Sequence, residues 1–245
     1  MAFREVVGTR AEDYLSCFDR LVVVAPHPDD DVLACGGSLA AAVAIGLDIA
    51  VLYVTDGSAS HVGSRAYPPE RLREVREREA RDALAILGVT SEPCFLRVSD
   101  GTVARLAVDR ADAIVATIAE AVGSGTHPLV MGPWIRDHHT DHLAVAVLVR
   151  RACARRPDAT LLEYAVWLEE RGTGRDRPGV AEGALIALDV RGHSAAKSTA
   201  LAAHRSQLGS LVSDAQSAFV LPPALIAAAG LPNERFLQVH PDAEA

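Results

Sequence analysis

Two short segments crowd ionisable side chains at the ends of apolar runs. The first, VVVAPHPDDDVLACGG (22–37), leaves a β-branched run and places His27, Asp29, Asp30 and Asp31 within five residues. Adjacent carboxylates repel one another and are costly to bury, so the run calls for a cation. One Asp can cap the helix that follows, but three of them beside a histidine exceed what a cap uses. A nucleotide-binding turn would carry phosphate-cradling glycines here; carboxylates repel phosphate and speak against that reading. Histidine nitrogen with carboxylate oxygen suits Zn²⁺ or a similar divalent ion. The second segment, WIRDHHTDH (134–142), supplies His138, His139, Asp141 and His142. His138 and His142 stand at i,i+4, and His139 and His142 at i,i+3. Both spacings put two rings on one helix face, so spacing alone leaves the pairing open. No Glu lies between the histidines as in HExxH, which argues against a zincin. Together the segments offer more ligands than one ion takes. A catalytic zinc keeps three protein ligands and a place for water, with a base and a charge stabiliser nearby.

The elements that must position these residues alternate between strand and helix. LVVVA (21–25), DIAVLYVTDG (48–57), CFLRV (94–98), PLVMGPW (128–134), LLEYAVW (161–167) and ALIALDV (184–190) read as strands. Helices are expected over 32–46, 70–87, 107–122, 141–155 and 194–208. Such alternation predicts an α/β fold with a mainly parallel sheet. Both histidine segments then leave carboxyl ends of strands, where ligands of open α/β sheets sit. The loops 58–69 and 169–183 read as substrate-facing lids or as plain surface loops.

Composition sets the outer bounds. The chain has 245 residues, 49% hydrophobic and 23% charged, with a net charge of −8. That is ordinary globular composition, and it fits a single domain over 1–245. An acidic chain without a run of Lys or Arg argues against a nucleic-acid partner. Four cysteines with no CxxC pair read as reduced, mostly buried thiols. The first residues show no signal-peptide pattern, and the apolar stretches are too interrupted for a membrane span. A soluble cytoplasmic protein is the expectation, with a homo-oligomer left open.

Six segments in order resemble the LmbE-like, or PIG-L, metal-dependent deacetylases. APHPDDDVLACGG looks like the family's AHPDDE segment with its GG, TDGSAS like its TDG turn, and REREARDALAILGV like its R..E...A...LG helix. FLRVSDG, HTDH and KSTALAAHRSQ resemble its strand with DG turn, its HPDH and its late K..A...H.SQ helix. The resemblance implies a Rossmann-like three-layer sandwich and a small-molecule N-acetyl amino sugar conjugate as substrate. Family members act on precursors of mycothiol and bacillithiol, glycolipids and glycosylated antibiotics. It further implies Zn²⁺, or another divalent ion such as Fe²⁺, held by His27, Asp30 and His142. Asp29 would be the general base, and His139 the general acid and electrostatic stabiliser, held by Asp141. His138 falls outside the motif. Two positions depart from the family pattern: Asp31 stands for the usual Glu, and Thr140 for the usual Pro.

Helix 70–87 adds a separate pointer. Arg76 and Glu79 fall within its apolar stripe of Leu72, Ala80, Ala83 and Leu87. A buried ion pair is costly; either the two residues pair internally, or Arg76 reaches a sugar hydroxyl or phosphate in the site, as the family's matching Arg does. Asp100 of the DG turn is a second candidate for sugar hydroxyls. Trp134 would pack on a sugar face or fill the core, and His204 reads as structural. The expected reaction is removal of an N-acetyl group. The alternatives are an amidase for a larger amide, such as a mycothiol S-conjugate or an acylated glycopeptide, and a non-catalytic metal- or sugar-binding module.

Overall fold

The computed structural model describes residues 8–173, 175–179 and 182–239; parts of the 169–183 loop therefore lie outside the described residues. The chain runs through β1 (Thr9–Arg10), α1 (Ala11–Leu15), β2 (Arg20–Ala25), α2 (Asp30–Ala44) and β3 (Asp48–Thr55). Next come β4 (His61–Val62), α3 (Pro69–Ile86), β5 (Cys94–Val98), α4 (Val108–Val122), β6 (Pro128–Pro133), α5 (Thr140–Cys153) and β7 (Thr160–Tyr164). The remainder comprises α6 (Leu168–Arg171), β8 (Ala184–Asp189), α7 (Ser194–Ala203), β9 (Ser217–Ala218), α8 (Pro223–Ala229) and β10 (Asn233–Val239).

Eight strands form one sheet in the order β1-β8-β10-β7-β6-β2-β3-β5, and β4 pairs with β9 apart from it. Only β10 runs antiparallel to its neighbours in the large sheet. Strand β2 explains the layering. It is buried on both faces, which is why it reads as a continuous apolar run. Leu21, Val23 and Ala25 join the core under α2, α3 and α7. Val22 and Val24 join a second core under α4 and α5. The result is the three-layer α/β arrangement expected from the alternation.

Strand β2 is also where the chain reverses direction across the sheet, with β3 on one side and β6 on the other. Its carboxyl end is thus the crevice where open α/β sheets hold ligands. The turns after β2, β3, β5 and β6 all open there.

Gly37 shows why the segment after His27 ends in GG. A Cβ on Gly37 would stand 2.5 Å from Cβ of Val190, so only glycine lets α2 lie this close. Beside it, Glu234 of β10 accepts the Gly37 N–H at 2.7 Å, the Ser38 N–H at 2.9 Å and the Lys197 ammonium at 2.7 Å. Both charged residues are buried.

Several expectations need revision. Helix α7 stops at Ala203 and not at 208, because His204 leaves the helical region (φ −78, ψ 57). That break turns Ser206 and Gln207 toward α3. α8 and β10 had no counterpart in the reading of the sequence. All four cysteines are free, but Cys17 and Cys94 are exposed and only Cys35 is fully buried. Among the described residues no helix is long and apolar enough to cross a membrane.

Candidate active site

The turn after β2 is tied to β3 by the Thr55 N–H, which donates to the Pro26 carbonyl. Asp29 sits at the N-cap of α2 with φ 149 and ψ −26. A positive φ at a non-glycine residue stores strain and marks a position held by its surroundings. The twist lets neighbouring carboxylates point different ways. Asp30 Oδ2 accepts the His27 N–H at 2.9 Å and lies 3.2 Å from His27 Nδ1. The same oxygen is 3.2 Å from His142 Nε2. Asp29 instead meets Arg76, at 3.1 Å. Asp31 turns into the core, where Tyr53 donates to its Oδ2 at 2.8 Å.

His142 comes from the first turn of α5 and is fully buried. Its Nδ1 lies 2.8 Å from Asp137 Oδ2. The Asp137 carboxylate is fixed by the N–H groups of His138, Val166 and Trp167. Asp137 therefore accepts a hydrogen bond from Nδ1–H and leaves the Nε2 lone pair available to an ion, the arrangement common behind metal-binding histidines. That Nε2 is buried and, although Asp30 Oδ2 is 3.2 Å away, makes no well-aligned hydrogen bond. The ligand atoms of His27, His139 and His142 lie within 4.8 Å of one another, as do those of His27, Asp100 and Asp141. Buried nitrogens and carboxylates converging this way fit a divalent ion of the Zn²⁺ type.

The titration behaviour of the cluster fits the same need for a cation. Burial disfavours a charged His27, but hydrogen bonds to Asp100, Asp141 and Asp30 outweigh it and raise its pKa well above the usual value. For His142 burial is likewise outweighed, by Asp30 and Asp137, and the pKa is about 9. Without a metal, protons on these rings balance the carboxylates. A metal must displace them. A histidine with a raised folded-state pKa stabilises the fold below its unfolded pKa, and that contribution disappears as pH rises through the folded value. The metal-free protein is therefore expected to lose about 5–10 °C in melting temperature between pH 7 and 9.5. Added Zn²⁺ should remove most of that loss, and titration calorimetry in two buffers at pH 7 should show proton release on binding. A pH-independent melting temperature without metal would contradict this cation balance.

Burial pushes Asp29 up to about 7; the Arg76 guanidinium works against the shift and Asp30 adds to it. Burial also pushes Asp31 up to about 7, against the Tyr53 hydrogen bond. His139 is lowered to about 4 by burial and by the neighbouring His27 and His142.

Arg76 does not pair with Glu79. Its guanidinium donates to the carbonyls of Gly57 at 2.9 Å and Pro28 at 2.8 Å, and to Asp29. Glu79 instead accepts the N–H and hydroxyl of Ser206. Arg76 thus joins the turns after β2 and β3 and holds Asp29. Gly57 makes room for it: φ is +61, and a Cβ there would stand 2.4 Å from Arg76 Nη1. Gly57→Ala should lower kcat/KM on the enzyme's substrate about 10- to 100-fold by displacing Arg76, as misplacement of about 1 Å does; an unchanged value would remove Arg76 from the positioning of Asp29.

The remaining expected residues fall as follows. Asp141 Oδ2 accepts the Gly101 N–H at 2.7 Å and Oδ1 the Val103 N–H at 3.2 Å, and Oδ2 lies 3.4 Å from His27 Nε2. Only the Asp141 backbone N–H reaches His139 Nδ1, at 3.3 Å, so its carboxylate is aimed at His27 and not at His139. Asp100 Oδ1 is 3.1 Å from His27 Nε2. His138 stays outside the cluster. His204 is buried and does not line the cavity over it. Trp134 lies in the core under α4 and α5, away from that cavity. Trp167 takes the place expected of it, stacked on His139 with ring centres 6.0 Å apart and with Arg171 on its other face.

The cavity over the cluster measures about 250 Å³. Its lining combines hydrogen-bonding groups of Arg76, Asp100, Ser60 and Gln207 with apolar side chains of Leu33, Trp167, Phe219 and Leu221. The loop after β3 contributes Ala59 and Ser60, and α6 contributes Arg171. Such a mixed lining is suited to a sugar, which has polar edges and apolar faces.

The sequence model of one family, described as PIG-L: GlcNAc-PI de-N-acetylase, matches residues 22–153. The chain belongs to the PIG-L family. The matched span covers every residue of the histidine and carboxylate cluster. Within the PIG-L relatives, the chain is 27% identical over 200 residues to a probable N-acetyl-α-D-glucosaminyl L-malate deacetylase 2 of Bacillus cereus, covering 79% of this chain and 86% of that one. Its fold matches an N,N′-diacetylchitobiose deacetylase from Pyrococcus horikoshii with a TM-score of 0.66 at 15% identity, over 97% and 95% of the two chains. It also matches GalB, a 4-carboxy-2-hydroxymuconate hydratase from Pseudomonas putida, with a TM-score of 0.62 at 18% identity, over 86% and 82%. A fold shared by a deacetylase and a hydratase does not fix the reaction; the site must do so.

Proposed function

We propose that this protein is a metal-dependent hydrolase that removes the N-acetyl group from an amino sugar conjugate of the N-acetylglucosamine type. The observation that carries the reading is the convergence of His27, Asp30 and His142, with Asp29 and His139 beside them, at a cavity lined by both hydrogen-bonding and aromatic side chains. Membership in a de-N-acetylase family and likeness to a deacetylase of a glucosaminyl malate support it.

His27, Asp30 and His142 would hold the ion. When bound, a divalent ion such as Zn²⁺ acidifies water and polarises the acetyl oxygen. Asp29, held by Arg76, takes the proton of the attacking water. His139 Nδ1 accepts the Asp141 N–H, so the ring is neutral and its Nε2–H donates a hydrogen bond to the developing oxyanion. The general-acid step expected of it passes to Asp29, which delivers the proton taken from water to the departing amine. Trp167 covers the face of His139 and keeps its ring oriented. Asp100 and Arg76 line the wall against which the sugar hydroxyls lie.

The test is amine release from a panel of N-acylated amino sugar conjugates by the metal-loaded protein. Acetylated glucosaminides should be turned over, and chelation should abolish it. Turnover confined to larger acyl groups would instead favour the amidase, for which the apolar lining residues Leu33, Val166, Phe219 and Leu221 offer contact. No hydrolysis of any member would overturn the reading.

A further inference from the structure

Gln207 is fully buried yet lines the cavity. Its position is set by the break after α7: its N–H donates to the His204 carbonyl and its own carbonyl accepts the Leu221 N–H. The orientation of its amide follows from its neighbours. The Ser206 hydroxyl donates to Glu79 Oε2 at 2.6 Å, so Ser206 Oγ is left only as an acceptor. Gln207 Nε2 donates to that oxygen at 3.0 Å and to Ser60 Oγ at 3.3 Å. Ser60 can spend its own proton on His61 Nδ1, at 3.0 Å. Both amide hydrogens are thus committed, and a flipped amide would set its carbonyl against Ser206 Oγ, which has no proton left to give.

What remains is Gln207 Oε1, a buried acceptor without a partner. A buried polar group normally finds a partner, and the residue that carries this one faces the cavity. We propose that Gln207 is a specificity residue whose Oε1 accepts a hydrogen bond from one ring hydroxyl of the sugar. The proposal rests on the reading of the site as an amino sugar hydrolase. It also gives Glu79 a purpose: this buried carboxylate of α3 fixes Ser206, and Ser206 fixes the amide.

The experiment compares wild type with Gln207→Met on a methyl N-acetylglucosaminide and its 3-, 4- and 6-deoxy analogues, with kcat/KM as readout. A buried acceptor deprived of its donor should cost about 10- to 100-fold. Gln207→Met should show that loss on the parent. Wild type should show a similar loss on one deoxy analogue, and on that analogue the two proteins should be equal. Gln207→Glu, which keeps an oxygen at this position, should retain the preference for the parent, and it decides the matter if the Met variant does not fold. An equal loss on all four substrates would mark a purely structural residue or a contact to the acetamide, and would overturn the proposal, as would no loss at all. Failure of the wild type to deacetylate the parent would overturn the reading of the site itself, and the proposal with it.

Discussion

Asp29→Asn is expected to lower kcat about 10²- to 10⁴-fold, the usual range for loss of a general base, while metal affinity stays near that of wild type. The two effects separate because the carboxylates divide their contacts. Asp30 Oδ2 lies 3.2 Å from both His27 Nδ1 and His142 Nε2, whereas Asp29 meets Arg76. The amide keeps the side chain's shape and an oxygen for the Arg76 guanidinium, but it cannot take a proton from water. It also removes a carboxylate that burial pushes up to about 7, so the folded state should not suffer. Chelator competition supplies the metal affinity and amine release the rate. A rate within a few-fold of wild type would show that another group takes the proton. A parallel collapse of metal binding would show that Asp29 serves as a ligand.

Lys197→Met is expected to destabilise the fold by about 3–5 kcal/mol, the cost of removing one partner from a buried ion pair. Glu234 would keep the N–H groups of Gly37 and Ser38 but lose the ammonium that donates to it at 2.7 Å. Urea unfolding measures the loss. Glu234→Gln in the Lys197→Met background should recover part of it, because the remaining partner no longer carries a charge. A loss below about 1 kcal/mol, the range of exposed pairs, would mean that water reaches the pair.

The two observations also show what the sequence could reveal. The two ionisable segments stand out because they crowd His and Asp at the ends of apolar runs, but spacing left His138 and His139 as rivals, and only the family resemblance singled out His139. The six strands expected from apolar runs are all present; the inner strands β2, β3 and β6 are largely buried, while β5, at the sheet edge, is mostly exposed or half-buried. Arg76 was legible as a charge within an apolar stripe, but whether it paired with Glu79 depended on a turn after α7 that no local pattern announces. Asp137 lay in the quoted segment, five residues before His142, and its role depends on N–H groups from Val166 and Trp167, in a different loop. Trp134 is the expected sugar-face candidate because it precedes the histidines, but it lies in the core; Trp167, which no expectation singled out, lines the cavity instead. Strand β10 was missed because NERFLQV carries Glu234 and Arg235 among its apolar residues, and the partners that make Glu234 tolerable lie on other elements, Lys197 on α7 and the Gly37 and Ser38 N–H groups almost two hundred residues away.

The position of β10 has a consequence for how the molecule is made. The strand that joins β7 to β8 is synthesised after both of them. On the ribosome, β2, β3, β5, β6 and β7 can pair as they emerge, but β7 waits with one open edge, and β8 with β1 has nothing to join. Until Asn233–Val239 arrives, the α2 backbone beside Gly37 also lacks its Glu234 acceptor. An open strand edge invites pairing with another chain, and incompletely assembled sheets are prone to such encounters. The nascent protein therefore passes through a stage at which its ligand-bearing turns are in place while its sheet is unfinished, and a metal ion that bridges β2 to α5 during that interval would act as an early fastener for the half already made.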